Sequence, residues 1–229
     1  MNRIFAVAVI LASIAVSTNA TAQIAAAQQW EAGKNYFVID PPQPTRTGDK
    51  IEVTEVFSYG CPACNFAHTY IDALRKKLPA YAEMDFVPAS FNASEDWVVF
   101  QRAYYTATAL GIADKAHAAM FDAVWKTREL AIYDASNRIK SPLPTLEEMA
   151  KFYARYGVKA DQFVATANSF TINTRMKQAD AYVKACGVDQ TPTLIVNGKY
   201  RLTTVSAGGS WDKAEQLVLY LVNQEAAAK

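Results

Sequence analysis

The chain of 229 residues is short of several things at once, and each shortage excludes a class of protein. It has only three cysteines, too few to staple a small disulfide scaffold. It has no excess of charge. Its 23 Lys and Arg face 22 Asp and Glu, which leaves no electrostatic footprint for nucleic acid or an anionic membrane. It has no internal repeat and no low-complexity linker. Beyond its first residues it has no apolar run long enough to span a bilayer. Its two histidines, His68 and His117, read as helix-surface residues rather than as ligands. What it does have is an apolar half and 12% aromatic residues, enough to bury a core without staples.

The one long apolar run stands at the start. Arg3 gives a positive beginning, Ile4 to Val16 is almost unbroken apolar, and Ala20-Thr21-Ala22 has the small-x-small form of a cleavage site. That layout is a secretory signal covering residues 1–22, cut after Ala22. The competing transmembrane anchor needs more residues than Ile4–Val16 supplies. No cysteine follows the run, which argues against a lipid anchor. In an exported protein, a close cysteine pair plus one leftover thiol asks for a chemical explanation.

Strand signals come first. Tyr36-Phe37-Val38-Ile39 is a short strand closed by Pro41-Pro42, and Ile51–Phe57 is a β-branched and aromatic one. A helix follows, with Phe66, Ala67, Tyr70, Ile71, Leu74 and Leu78 along one broad face, and Pro79 ends it. Met84–Val87 is the next strand, which completes a βαβ unit with a right-handed crossover. From Ser94 to about Lys184 the pattern is helical. Trp97, Phe100, Tyr104 and Ala107 form one stripe, and Ala116, Met120, Ala123 and Val124 another. Their aromatic residues read as core. Thr145-Leu146-Glu147-Glu148 is a capping box that opens a further helix. Strands return at Thr193–Val196 and Tyr200–Thr203, joined by the hairpin turn Asn197-Gly198, before a last helix from Trp211 to about Asn223. A block this long between two half-units is too long for a structureless loop.

Cys61-Pro62-Ala63-Cys64 falls where the Ile51–Phe57 strand gives way to its helix. Pro62 suits the first helical turn, because its missing N–H has no partner there. Cys61 is then at the cap, where free N–H groups and the helix dipole stabilise an anion. The dipole contributes at most about 2 kcal/mol, or roughly 1.5 pKa units. Donation from the backbone N–H and thiol of Cys64 must supply the rest. A thiol–disulfide exchange centre follows: Cys61 is the attacked, exposed sulfur and Cys64 the buried partner. Two other readings stand beside it, a structural disulfide and half of a metal site with His68, which needs further ligands. Thr191-Pro192 directly precedes a strand. A cis bond there would turn the loop towards Cys61 and present the Thr191 backbone to an extended substrate, whereas an ordinary trans turn would do neither.

Phe57-Ser58-Tyr59-Gly60-Cys61-Pro62-Ala63-Cys64, the helical block, and Thr191-Pro192-Thr193 leading to Val196-Asn197-Gly198-Lys199-Tyr200 together resemble the DsbA family of bacterial periplasmic disulfide-forming enzymes. The resemblance covers nearly the whole chain after the signal. It implies an α/β thioredoxin fold, a mixed sheet flanked by helices, interrupted by an inserted helical domain. The parts are residues 23–90 and 171–229 for the thioredoxin domain and 91–170 for the insertion. It implies a thiol:disulfide oxidase of the periplasm, a monomer without cofactor or metal. Its partners are exported proteins with free thiols and a quinone-linked DsbB-like membrane protein. By resemblance Cys61 is the nucleophile, Cys64 the buried cysteine, Pro192 the cis proline beside Thr191, and Glu55 a buried acid that assists proton movement. Alternation alone also allows Glu55 to face solvent.

The sequence departs from the family pattern twice. Ala63 stands where a histidine is usual, which removes an imidazolium and implies a weaker oxidant. No lysine occurs in Met84–Val87, where a partner for the acid would stand. Cys186, before Gly187, reads as a buried inert thiol. A reductase or isomerase, a peptide-binding chaperone using the groove beside Thr191, and a metal carrier are the other functional classes.

Overall fold

The computed structural model describes residues 30–229, so the expected signal segment lies outside the described residues. Five strands form one mixed sheet in the order β1 (Phe37–Val38), β5 (Tyr200–Leu202), β4 (Thr193–Val196), β2 (Ile51–Phe57), β3 (Ala82–Pro88). β2 is an interior strand, between β4 and β3, and is buried along its whole length. A strand covered on both faces is what a helix-flanked α/β sheet requires. β2 runs into α1 (Pro62–Lys77) and returns parallel to itself as β3 (Ala82–Pro88). On its other side it pairs antiparallel with β4 (Thr193–Val196).

β4 turns through Asn197-Gly198 into β5 (Tyr200–Leu202), with φ of 52° and 64° at the two turn residues. Two positive φ values make the type I′ hairpin that these residues favour. Glycine is required at 198 for a second reason: a Cβ there would lie 2.0 Å from the Gln43 carbonyl oxygen. β1 (Phe37–Val38) pairs with β5 as a short edge strand. α7 (Trp211–Ala227) packs on β2 and β4 with Leu217 and Leu221 inward.

Between β3 and β4 the chain is helical: α2 (Trp97–Ala109), α3 (Ala113–Trp125), α4 (Leu146–Ala154), α5 (Ala160–Ala167) and α6 (Phe170–Ala185). α2 is the hub, touching α3, α4, α5, α6 and β3. Its expected stripe of Trp97, Phe100, Tyr104 and Ala107 is buried, as is the α3 stripe of Ala116, Met120, Ala123 and Val124. The capping box forms: Thr145 Oγ1 accepts from the Glu148 N–H at 3.2 Å, and Glu148 Oε2 accepts from the Thr145 N–H at 2.8 Å.

Two expectations are corrected. The inward face of α1 is Cys64, Ala67, Ile71 and Leu74, while Phe66 and Tyr70 are 64% and 42% exposed. They sit one position off the buried stripe, and Tyr70 stacks instead on Trp211 with ring centroids 5.6 Å apart. Nor are the histidines surface residues. His68 stacks on Phe121 at 5.1 Å, and the His117 ring lies among Phe57, Tyr59, Phe86 and Phe121. Both belong to the seam between α1, α3 and the sheet, where an imidazole packs as an aromatic ring.

Candidate active site

β2 ends at Phe57, and a tight turn over Ser58–Cys61 converts strand into helix. The Cys61 N–H donates to the Ser58 carbonyl at 3.1 Å, and the Gly60 N–H donates to Ser58 Oγ at 3.1 Å. Gly60 has no room for a side chain, because a Cβ would meet Trp97 Nε1 at 2.7 Å and Ile132 Cδ1 at 2.8 Å. Cys61 is the N-cap of α1, extended at φ −87° and ψ 120°, with Pro62 next to it. Its carbonyl accepts the first helical bond, from the Asn65 N–H at 3.0 Å.

The Cys61 sulfur does what a capping oxygen usually does: it accepts the Cys64 N–H, at 3.4 Å. The first turn of α1 holds no acidic residue, and its last turn holds Arg75, Lys76 and Lys77. No carboxylate therefore competes for the positive end of the helix dipole. Cys61 and Cys64 are 5% and 0% exposed and both are thiols here, so Cys61, expected to be the exposed sulfur, is buried like its partner.

The second strand of the site comes from far along the chain. Thr191–Pro192 is a cis peptide at the entry to β4, as expected. It brings the Thr191 carbonyl to 3.4 Å from the Cys61 sulfur, where the thiol donates to it. The Thr191 hydroxyl is buried without a partner of its own. Cis bonds at Asp40–Pro41 and Ser141–Pro142 carry no such chemistry and were not foreseen.

Electrostatics divide the two sulfurs. The Cys61 thiol is lowered to about 6, chiefly by the Cys64 thiol hydrogen bond. Burial works against this, while the N–H groups of Cys64 and Ala63 reinforce it. The Cys64 thiol is raised well above its ordinary value by burial, by its bond to Cys61 and by the nearby Glu55. One sulfur is built to carry charge and the other to stay protonated.

Glu55 faces the core rather than solvent, 1% exposed, paired across the sheet with Phe86 and Leu194. Both its carboxylate oxygens are buried without a partner. Burial first, then the Cys61 and Asp72 charges, push its pKa up to about 8. Glu52, three residues away and equally buried, is fully engaged: it accepts the Arg46 N–H at 2.6 Å and the Thr54 hydroxyl at 2.8 Å. Of two buried glutamates on one strand, the orphan is the one beside the cysteines. Cys186 stands apart at the end of α6, 2% exposed, its thiol pushed up to about 11 by burial. Among the described residues, no three His, Cys, Asp or Glu side chains gather as a metal site would need.

Sequence reasoning brought Glu55, Cys61, Cys64, Thr191 and Pro192 to one place. It missed the residues that hold the turn before Cys61: Tyr59, Trp97, His117, Trp125 and Ile132. No local signal marks these, because helices distant in sequence supply most of them.

Comparison with known proteins agrees with this geometry. The thioredoxin family model matches residues 49–209. The thiol:disulfide interchange protein DsbA of Pseudomonas aeruginosa is 36% identical over 204 residues, covering 89% of this chain and 90% of that one. DsbA of Azotobacter vinelandii is 34% identical, covering 86% and 85%. Among solved structures, Pseudomonas aeruginosa DsbA superposes with a TM-score of 0.75 at 37% identity, covering 88% of this chain and 97% of that one. The oxidoreductase DsbA from Xylella fastidiosa gives 0.76 at 33% identity, covering 87% and 99%. With a strand-to-helix Cys-Pro-Ala-Cys facing a cis proline on a mixed sheet, the chain belongs to the thioredoxin family as a DsbA-type thiol:disulfide oxidoreductase.

Proposed function

We propose that this oxidoreductase works as an oxidase, donating the Cys61–Cys64 disulfide to newly exported proteins with free thiols. The observation that carries the reading is the Cys61 sulfur at a helix cap, accepting the Cys64 N–H, with its pKa lowered to about 6. A group that stabilises the thiolate stabilises the reduced enzyme, and an enzyme with a stable reduced form is an oxidant.

The exchange balances as follows. A substrate thiolate attacks Cys61 Sγ, forming a mixed disulfide and breaking the Cys61–Cys64 bond. Cys64 leaves as a buried thiolate and must take up a proton. Glu55, raised to about 8 and close enough to Cys64 to perturb it, holds that proton at neutral pH. A second substrate thiolate then attacks the substrate sulfur. The substrate disulfide forms, Cys61 departs as a stabilised thiolate, and two electrons have passed to the enzyme. The Thr191 carbonyl beside Pro192 supports an extended substrate chain at the attacked sulfur.

Residues 1–22 direct export to the periplasm and are removed there. The monomer then divides into a thioredoxin domain of residues 23–90 and 171–229 and an inserted helical domain of residues 91–170. It uses no cofactor of its own, and a DsbB-like quinone-linked membrane protein reoxidises it. The test is equilibration of the Cys61–Cys64 couple with glutathione, on protein lacking residues 1–22. A clearly oxidising couple is expected. A strongly reducing one, near that of thioredoxin, would overturn the oxidase and leave a reductase on the same fold.

A further inference from the structure

Tyr59 and Gly60 are the two central residues of the turn that delivers Cys61 to its helix, and helices inserted between β3 and β4 grip both. Trp97 of α2, with Ile132, closes on Gly60. Tyr59 is 1% exposed and is held at both ends by α3. Its hydroxyl lies 2.9 Å from His117 Nδ1, and its carbonyl accepts the Trp125 indole N–H at 2.8 Å. Burial first, with the nearby His68 and Arg75, pulls His117 down to about 4. The ring is therefore neutral, and its Nδ1 and the Tyr59 hydroxyl share one hydrogen bond whose direction follows the tautomer.

None of these contacts reaches a sulfur. All of them fix the backbone immediately before Cys61. The Cys64 N–H to Cys61 Sγ bond, at 3.4 Å, depends on where that backbone leaves the sulfur. A charge-assisted bond weakens steeply as its distance and angle drift.

We propose that His117 and Trp125 are positioning residues for the exchange reaction: by clamping Tyr59 they hold the Ser58–Cys61 turn so that the Cys61 sulfur meets its helical donors. The inserted helices then tune the redox centre as well as flanking it. This inference rests on Cys61 being the thiolate of the proposed function.

Its test is the thiolate absorbance of the reduced protein against pH, near 240 nm, with melting temperature followed in parallel. Tyr59→Phe deletes one hydroxyl and keeps the ring packing, and Trp125→Phe deletes the indole N–H and leaves a smaller ring. Each should raise the Cys61 pKa by about 0.5–1 unit, which lowers the equilibrium constant for oxidising glutathione roughly three- to tenfold. His117→Leu should do the same, and His117→Gln, which keeps an acceptor, should recover part of the loss. If His117→Leu fails to fold, the two Phe variants carry the test alone. Folded variants that melt lower but keep the wild-type Cys61 pKa would show a merely structural clamp and overturn the proposal. A wild-type pKa near the ordinary thiol value of 9.0 would sink the proposed function with it.

Discussion

Acidifying the solution should strip the reduced protein of a stability advantage that the oxidised protein never had. The Cys61 thiol moves from an ordinary 9.0 to about 6 on folding. The folded state therefore binds fewer protons at this group, and its contribution to stability rises with pH. It is complete above the unfolded value of 9.0 and lost as pH falls through about 6. Linkage between those two values gives about 1.4 kcal/mol at pH 7 and nearly nothing at pH 5.

Either redox form alone would hide the effect. Glu55 is raised to about 8, so it contributes with the opposite sign, costing stability as pH climbs from 4.5 towards 8. That cost is shared by both forms, apart from the share that the Cys61 charge itself adds. The difference between the forms isolates Cys61. The cross-link's effect on the unfolded chain does not vary with pH and also drops out. Urea unfolding of both forms at pH 5, 6 and 7 measures it. The reduced-minus-oxidised stability should grow by up to about 1.4 kcal/mol from pH 5 to pH 7, most of it above pH 6. A difference that stays flat, or shrinks, would refute the claim that the fold stabilises a Cys61 thiolate.

Glu55→Leu should stabilise both redox forms at pH 7 by up to about 3 kcal/mol and hardly at all at pH 4.5, because an unfolded carboxylate of ordinary acidity must take up a proton to be buried. It should also slow exchange with a reduced peptide, since Cys64 loses its proton source; urea midpoints at the two pH values and the exchange rate check both. Ala63→His should lower the Cys61 pKa by about 0.5–1 unit below pH 6.5, where the imidazole is charged, and make the couple more oxidising towards glutathione. An unchanged titration curve would show that the exposed position 63 is too well solvated to matter.

Much of the fold was legible because its signals are local. A strand reading Ile-Glu-Val-Thr-Glu-Val-Phe, a Cys-Pro-Ala-Cys at its end, a capping box at Thr145 and an Asn197-Gly198 turn each act within a few residues. What was misread depends on what packs where. Alternation could not settle Glu55, because β2 is buried on both faces and its period-2 pattern separates two interiors, not inside from outside. Phe66 and Tyr70 looked inward by hydrophobicity, yet their offset from Cys64, Ala67, Ile71 and Leu74 turns them out. His117 looked like a surface residue because nothing in its flanking run of alanines marks a partner for the ring. Its actual neighbours, Tyr59 and Phe57, are some sixty residues away along the chain.

The two departures from the family pattern act in opposite directions on the same thiolate. Without an imidazolium at position 63, Cys61 loses a stabilising charge. Without a lysine near Glu55, the strand position opposite it is Phe86, and the carboxyl has nothing to ionise against. Raised to about 8, Glu55 is neutral at pH 7. A lysine in place of Phe86 would pull that pKa down and leave a carboxylate beside the sulfurs. Because Glu55 and Cys61 each raise the cost of charging the other, a neutral Glu55 spares the thiolate a repulsion that an ionised one would impose. The centre therefore draws its acidity from backbone N–H groups and the Cys64 thiol, with no formal positive side chain in the set. Such an arrangement should keep its potential nearly independent of salt, since dipoles buried at contact distance are screened far less than exposed charges.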